Sequence, residues 1–394
     1  MFINFWYAAE RSENLTDKPV RAKMLGQNFM LYRDQDGKAH CTVAACIHRG
    51  GALADGQVLG QDIECPYHGW RYGPDGRCTR IPSLGDHAKI PPRARIDSYP
   101  VQEKYGLIFV FLGDLPEAER PPLMEVREWD DPGYKFDIRD RIVNANQLRA
   151  MENGVDMTHG EFVHSDLMGM RGEAREGEEY VAPTYDVRDT KWGAGIHCFF
   201  PPSPGWGKFW NKIIGFDRIF TGTEVSQSYW GASSLHTSIW ISKSRNIHLP
   251  QYIWETPLDE YSYRVFFVGG RSFFKGRWYD GLYRKRMNSV SNQDNAVIEK
   301  LDPVLPAASR TDLLVIEPDR IITRFQQSLL EWEARGWRID SKKLAEYLPG
   351  EKVFTIPSPA RRESAQWVHH TVPLIAGSAA EHSQTGLRAA EQAN

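Results

Sequence analysis

Two short pairs, Cys46-Ile47-His48 and Cys65-Pro66-Tyr67-His68, constrain this chain more than any other feature, and sixteen residues separate them. One Cys and one His come from each of two loops, so the fold has to bring those loops to one point. His48 is followed by Arg49-Gly50-Gly51 and His68 by Gly69-Trp70. Glycine allows φ > 0 and close backbone approach, which lets main-chain N–H groups point at whatever the four side chains hold.

Thiolates on one iron and imidazoles on the other are the ligands of a Rieske [2Fe–2S] centre. Its two neutral imidazoles raise the reduction potential above that of an all-Cys cluster. Tetrahedral zinc also takes two Cys and two His, but its usual pattern keeps the cysteines and the histidines in separate pairs. A chain with such a cluster handles electrons one at a time and needs a place to send them.

The 394 residues suffice for two domains, and 41% hydrophobic with 25% charged residues is ordinary globular composition. A formal charge of −3 gives no sign of nucleic-acid binding. No run approaches the length of apolar sequence that a membrane span needs. The apolar start, Met1 to Tyr7, is cut short by Glu10 and Arg11 and lacks a basic leader, so no signal peptide is expected. Beyond the two pairs, Cys41, Cys78 and Cys198 show no framework spacing and read as free thiols of a cytoplasmic protein.

Trp6 to about Leu112 reads as short strands, among them Val20–Met24, 28–32, Ala39–Val43 and Leu107–Leu112, broken by Asp36-Gly37 and Pro74-Asp75-Gly76. This predicts a small all-β domain over residues 1–115, with the pairs on two of its loops. A Pro- and Glu-rich stretch from Leu115 to Pro122 reads as a linker. Residues 116–350 mix helices, at 144–164 and 279–301, with strands at 196–200, 238–242 and 261–268, giving an α+β fold class. Residues 166–224, rich in Gly, Pro and Trp, predict a long irregular excursion, and 351–394 a loosely ordered tail.

A second constellation lies in the run from Glu152 to His164, where two histidines stand five apart. Residues three apart share a helix face, so Asp156 and His159 look into one cavity. Five residues turn His164 roughly 140° away from His159 on a regular helix. The two can share a metal only if the helix bends, bulges or ends, and Gly160 offers a place for that. Two imidazoles and a carboxylate with open positions are the ligands of mononuclear non-haem Fe(II) sites. The carboxylate need not be local. Residues 291–301 read as an amphipathic helix, with Val297, Ile298 and Leu301 at i+3, i+4 and i+7 from Asp294. Read alone, the histidines fit hydrogen-bonded polar residues as well as ligands, and Asp294 fits a surface or capping acid. Downstream of a one-electron carrier, a metal site is the natural sink.

Taken together, these motifs resemble the oxygenase (α) component of the Rieske non-haem iron oxygenases. Cys46, His48, Cys65 and His68, then Asn153, Asp156, His159 and His164, then Asp294, follow that family's order and spacing. Phe5-Trp6-Tyr7 is family-like as well. Arg271-Ser272-Phe273-Phe274 and the Gln293-to-Glu299 run are similar to the vanillate O-demethylase and phthalate-type branch. The resemblance covers about residues 1 to 335. It implies a helix-grip catalytic domain, a curved antiparallel sheet wrapped by helices, with Fe(II) on His159, His164 and Asp294. It further implies a homotrimer in which one subunit's cluster feeds its neighbour's iron. Asp156 would then bridge His159 to His68 of the partner subunit, and Asn153 would lie near the iron. The family pattern uses neither Glu152 nor Glu161.

The activity so implied is that of a terminal oxygenase, fed by a separate NAD(P)H-dependent reductase or ferredoxin. With O2 it would hydroxylate, or O- or N-demethylate, a small apolar aromatic or polycyclic substrate. Cis-dihydroxylation is the alternative within the family. A Rieske electron carrier fused to a non-catalytic ligand-binding domain is the alternative from another class, and it makes the two histidines and Asp294 coincidental. Trp192, Trp206, Trp210, Trp230, Phe199, Phe200 and Phe209 read either as the wall of an apolar pocket or as core.

Overall fold

The computed structural model describes residues 1–164, 185–200, 223–306, 313–348 and 350–378. The chain divides into two units. One comprises Met1–Leu123, Thr256–Asp259 and Leu329–Asn394, the other Met124–Glu255 and Glu260–Ser328.

The first unit is built of short strands: β1 (Phe5–Arg11), β2 (Val20–Met24), β3 (Gln27–Arg33), β4 (Ala39–Val43), β5 (Gln57–Leu59), β6 (Asp62–Glu64), β7 (Arg71–Tyr72), β8 (Cys78–Arg80), β9 (Ser98–Tyr99), β10 (Val101–Lys104) and β11 (Leu107–Leu112). They form three sheets, ordered β1-β11-β10, β2-β3-β4-β9 and β5-β6-β7-β8. All six residues of β11 are buried, which is why it reads as an unbroken apolar run. β2 is half-buried and alternates instead. Beneath the two Cys-His loops lies a core that includes Met30, Tyr32, Ile63 and Tyr72.

The same unit takes in the chain from Leu329 onward, where the sequence reading expected a loosely ordered tail from 351. Residues 379–394 lie outside the described residues. Before them, two further strands of this unit, Phe354–Thr355 and His370–Thr371, pair in parallel. Asp97, with 0% exposure, organises this segment. It accepts hydrogen bonds from Thr355 Oγ1 at 3.2 Å, Ser358 Oγ at 2.6 Å and both donor nitrogens of Arg361 at 2.8 and 2.7 Å. The tether is polar, so hydrophobic patterning gives no hint of it.

The second unit carries β12 (Lys135–Val143), β13 (Asp186–Thr190), β14 (Gly193–Phe200), β15 (Thr223–Trp230), β16 (Ser234–Ser242), β17 (Ile247–Pro257) and β18 (Tyr263–Arg271). They form one seven-stranded antiparallel sheet in the order β12-β18-β17-β16-β15-β14-β13. Within the expected irregular excursion over 166–224, β13 and β14 are regular strands, β14 containing the strand expected at 196–200, while residues 166–184 and 201–222 lie outside the described residues. Glycine misled the reading: a Cβ on Gly193 would stand 1.9 Å from the Tyr229 carbonyl oxygen, so this glycine permits close strand approach rather than breaking a strand. Phe200 is buried and Phe199 exposed, as strand alternation requires. Trp206, Phe209 and Trp210 lie outside the described residues.

Three helices matter to the site: α1 (Gln147–Val155), α2 (Gly160–Val163) and α3 (Asp280–Ile298). Asn146 caps α1 by accepting from the Leu148 N–H at 3.0 Å. α3 runs alongside β12 in matched steps. Arg284 bonds Asp137 at 2.6 Å, Asn288 accepts from Arg139, and Asn292 accepts from Arg141 at 2.6 Å. Four residues of helix and two of strand both advance about 6 Å, so the register holds along the whole contact. Asp294 therefore falls near the end of β12, within reach of Asn153 in the last turn of α1. Val297, expected on the apolar stripe, is exposed, and Ile298 is buried. Among the described residues, no helix is long and apolar enough to cross a membrane.

Candidate metal centres

The two Cys-His loops share one construction. Gly50 N–H donates to the Cys46 carbonyl at 2.9 Å, and Gly69 N–H to the Cys65 carbonyl at 3.0 Å. Those glycines have φ of 69° and 70°, a conformation that favours glycine. Cys46 N–H to Gly51 O and Cys65 N–H to Trp70 O, each 2.8 Å, close the loops. Both cysteines are free and only 2% exposed, whereas His48 and His68 are exposed. The two imidazole rings lie 4.5 Å apart, and His48 stacks on Trp70 at 4.6 Å.

These residues fit a [2Fe–2S] cluster with its thiolate side inward and its imidazole side outward. The space between the loops depends on Gly51, where a Cβ would stand 2.7 Å from Cys65 Sγ. Burial pushes the Cys46 thiol up to about 11, so a proton occupies it until a metal displaces it. Sequence reasoning missed Tyr72, which is buried and whose hydroxyl lies 3.0 Å from Cys46 Sγ, placed to donate once that sulfur is a metal-bound thiolate. Such a bond stabilises the more negative, reduced cluster. Tyr72→Phe is expected to lower the reduction potential by on the order of 60 mV, equivalent to about 1.4 kcal/mol for one electron. Potentiometric titration of the loaded protein measures this shift, and an unchanged potential would remove Tyr72 from the tuning of the cluster.

In the second unit, the helix break falls earlier than Gly160. α1 ends at Val155, and Asp156 is extended with φ −71° and ψ 121°. His159 and His164 cap the two ends of α2, and His164 has already left helical geometry at φ −105° and ψ 29°. A single short turn, rather than a continuous helix, therefore separates them, and their rings approach to 5.2 Å. Asp294 Oδ1 lies 3.5 Å from His159 Nε2 and 3.1 Å from His164 Nε2. Among the described residues these three converge, with all their ligand atoms within 4.8 Å of one another. Two imidazoles and one carboxylate on one side of a point fit a mononuclear iron with open positions.

The surrounding groups orient this trio. His164 Nδ1–H donates to Gln293 Oε1 at 2.9 Å, which leaves Nε2 facing Asp294. Sequence reading assigned no role to Gln293. Asn153 Nδ2 reaches Asp294 Oδ1 at 3.4 Å. Asp156 Oδ1 accepts both the N–H and the hydroxyl of Thr158 at 2.7 Å, while its Oδ2 stands 3.7 Å from His159 Nδ1. Among the described residues, that Nδ1 is buried and without a hydrogen-bond partner. Burial works against charge on His159, but Asp156 and Asp294 outweigh it and raise the imidazole to about 9. Burial likewise raises Asp294, yet hydrogen bonds from the two histidines hold it well below the usual carboxylate range. Glu152 is committed elsewhere, to Arg149 at 2.6 Å and Gln326 at 2.9 Å.

Comparison with known proteins places both units. Residues 5–100 match the Rieske [2Fe-2S] domain, and residues 143–335 the Vanillate O-demethylase oxygenase C-terminal domain. A 4beta-methylsterol monooxygenase of Methylococcus capsulatus is 34% identical over 278 residues, which cover 67% of this chain and 67% of that protein. The oxygenase component of dicamba O-demethylase from Stenotrophomonas maltophilia is 25% identical over 353 residues, 82% of this chain and 97% of that one. A caffeine-bound mutant of NdmA from Pseudomonas putida CBB5 shares the fold, with a TM-score of 0.68 at 21% identity over 84% of this chain and 91% of the other.

Proposed function

Because this chain belongs to the Rieske oxygenases, an oxidoreductase family that uses a [2Fe–2S] cluster and a mononuclear iron, we propose that it is a terminal monooxygenase acting on a small apolar aromatic or polycyclic molecule. The convergence of His159, His164 and Asp294 carries this reading. An electron carrier with a passive binding domain has no use for three such ligands at one point. When bound, the cluster supplies single electrons and the iron supplies open positions for O2.

The chain's own residues then have distinct tasks. Cys46, His48, Cys65 and His68 hold the cluster, and the exposed imidazoles form its outward edge. Gln293 keeps His164 in the tautomer whose Nε2 is free to bind metal. Thr158 clamps one oxygen of Asp156, leaving the other beside His159. That carboxylate is suited to accept one hydrogen bond from His159 and another from His68 of the partner subunit. Such a bridge calls for a homotrimer, with a mass three times 45.1 kDa. The relatives named for monooxygenation and O-demethylation support insertion of one oxygen atom over two.

Metal analysis together with isotopically labelled O2 tests the proposal. Three irons per chain are expected, and a surrogate reductase should support products carrying a single oxygen atom from O2. A protein with loaded clusters that never exceeds two irons after Fe(II) addition would overturn the oxygenase reading. Cis-diol products carrying both atoms would establish dioxygenation instead.

A further inference from the structure

Glu255, on β17, is a buried acid that the reaction scheme above leaves unused. It is 5% exposed, and among the described residues its Oε2 is buried without a hydrogen-bond partner. Only its backbone is accounted for, with its N–H donating to the Ser233 carbonyl at 2.8 Å. The side chain lines a cavity that Asp294 and Asn153 border, and Leu235, Ile253, Val265 and Phe267 give that cavity apolar walls. A buried acid with an unpartnered oxygen, on the wall of a cavity that one iron ligand borders, is a group available to a ligand.

We infer that Glu255 orients the substrate by donating a hydrogen bond to an uncharged oxygen acceptor on it, a ketone, alcohol or ether oxygen of an otherwise apolar molecule. The inference rests on the oxygenase reading of the neighbouring triad. Burial pushes the Glu255 carboxyl well above its ordinary range, so it carries its proton and can donate. Arg139 and Arg141 line the same cavity, and each donates to an asparagine of α3, Asn288 and Asn292. A protonated acid among the apolar side chains favours an uncharged acceptor. The position of the acceptor would then set which carbon faces the iron ligands.

Calorimetric titration of the fully iron-loaded, oxidised protein tests this without turnover. α-Tetralone and tetralin, which differ by one carbonyl oxygen, serve as probes. The ketone is expected to bind roughly tenfold more tightly. Glu255→Leu should erase that preference while keeping the iron content, and Glu255→Gln, whose amide can still donate, should retain most of it. A neutral carboxylic-acid band in the infrared spectrum should shift with tetralone and vanish in Glu255→Gln. Equal affinities, a preference that survives Glu255→Leu, no binding of either probe, or tighter binding of a cationic aminotetralin would each overturn the inference. Iron counting separates the two readings. Three irons with no ketone preference rejects only the role of Glu255, whereas two irons rejects the oxygenase.

Discussion

Asp294→Ala is expected to remove the mononuclear iron and spare the cluster, taking iron from three to two per chain and abolishing oxygenation. Asp294 Oδ1 is the point on which His159 Nε2 and His164 Nε2 converge, at 3.5 and 3.1 Å. Without it, two neutral imidazoles remain, and no third ligand among the described residues joins them. Asn153 reaches toward the same oxygen but presents its Nδ2, a donor that cannot bind a metal. Stability of the metal-free protein should fall near neutral pH, because the histidines lose the carboxylate that pairs with them. Iron and sulfide analysis, with the visible spectrum of the cluster, measures the outcome. Retention of the third iron would mean that the metal sits on other ligands.

Asp156→Asn should separate metal binding from turnover: all three irons remain, while coupled product formation falls by about 100-fold. Asparagine keeps the shape of the side chain but has one acceptor oxygen where aspartate has two. Thr158 claims Oδ1 through its N–H and its hydroxyl. The amide N–H2 must then face His159 Nδ1, donor against donor. A flipped amide would set that clash against the Thr158 N–H instead. One orientation breaks the link to His159 and the other keeps it only by losing the Thr158 clamp, so the rate at which a pre-reduced cluster is oxidised in a single turnover should fall. Unchanged single-turnover rates would take Asp156 out of the electron path.

How much of this was legible beforehand depended on whether the chemistry sat within one stretch of chain. The Cys-His pairs are legible because both ligands of each loop lie within four residues, and the glycines that shape the loops sit beside them. His159 and His164 are equally local, yet the exact break in the helix is not, since Asp156 turns extended to meet Thr158. Gln293, Tyr72 and Glu255 escape a sequence reading for a common reason. Each gains its role from an approach between elements far apart in the chain, and none has a spacing that signals it. The strand at 196–200 was legible, but its start at Gly193 was not, because composition cannot tell a turn from close strand approach. The Asp97 tether was invisible because charged and hydroxyl side chains in a late segment look like solvated surface until their buried partner is known.

That tether bears on how this protein can be taken apart and recombined. Asp97 is fully buried, and its charge is matched by Arg361, more than 260 residues later in the chain. Leaving such a carboxylate unpaired costs ~3–5 kcal/mol, a large share of a domain's stability. Phe5 and Trp332 add an aromatic contact at 4.8 Å across a similar span. The electron-carrying portion is thus not a detachable N-terminal cassette, although its ligands all lie before residue 70. A chimera that grafts it onto a relative's catalytic portion has to carry the late segment from the same parent, or supply another partner for Asp97.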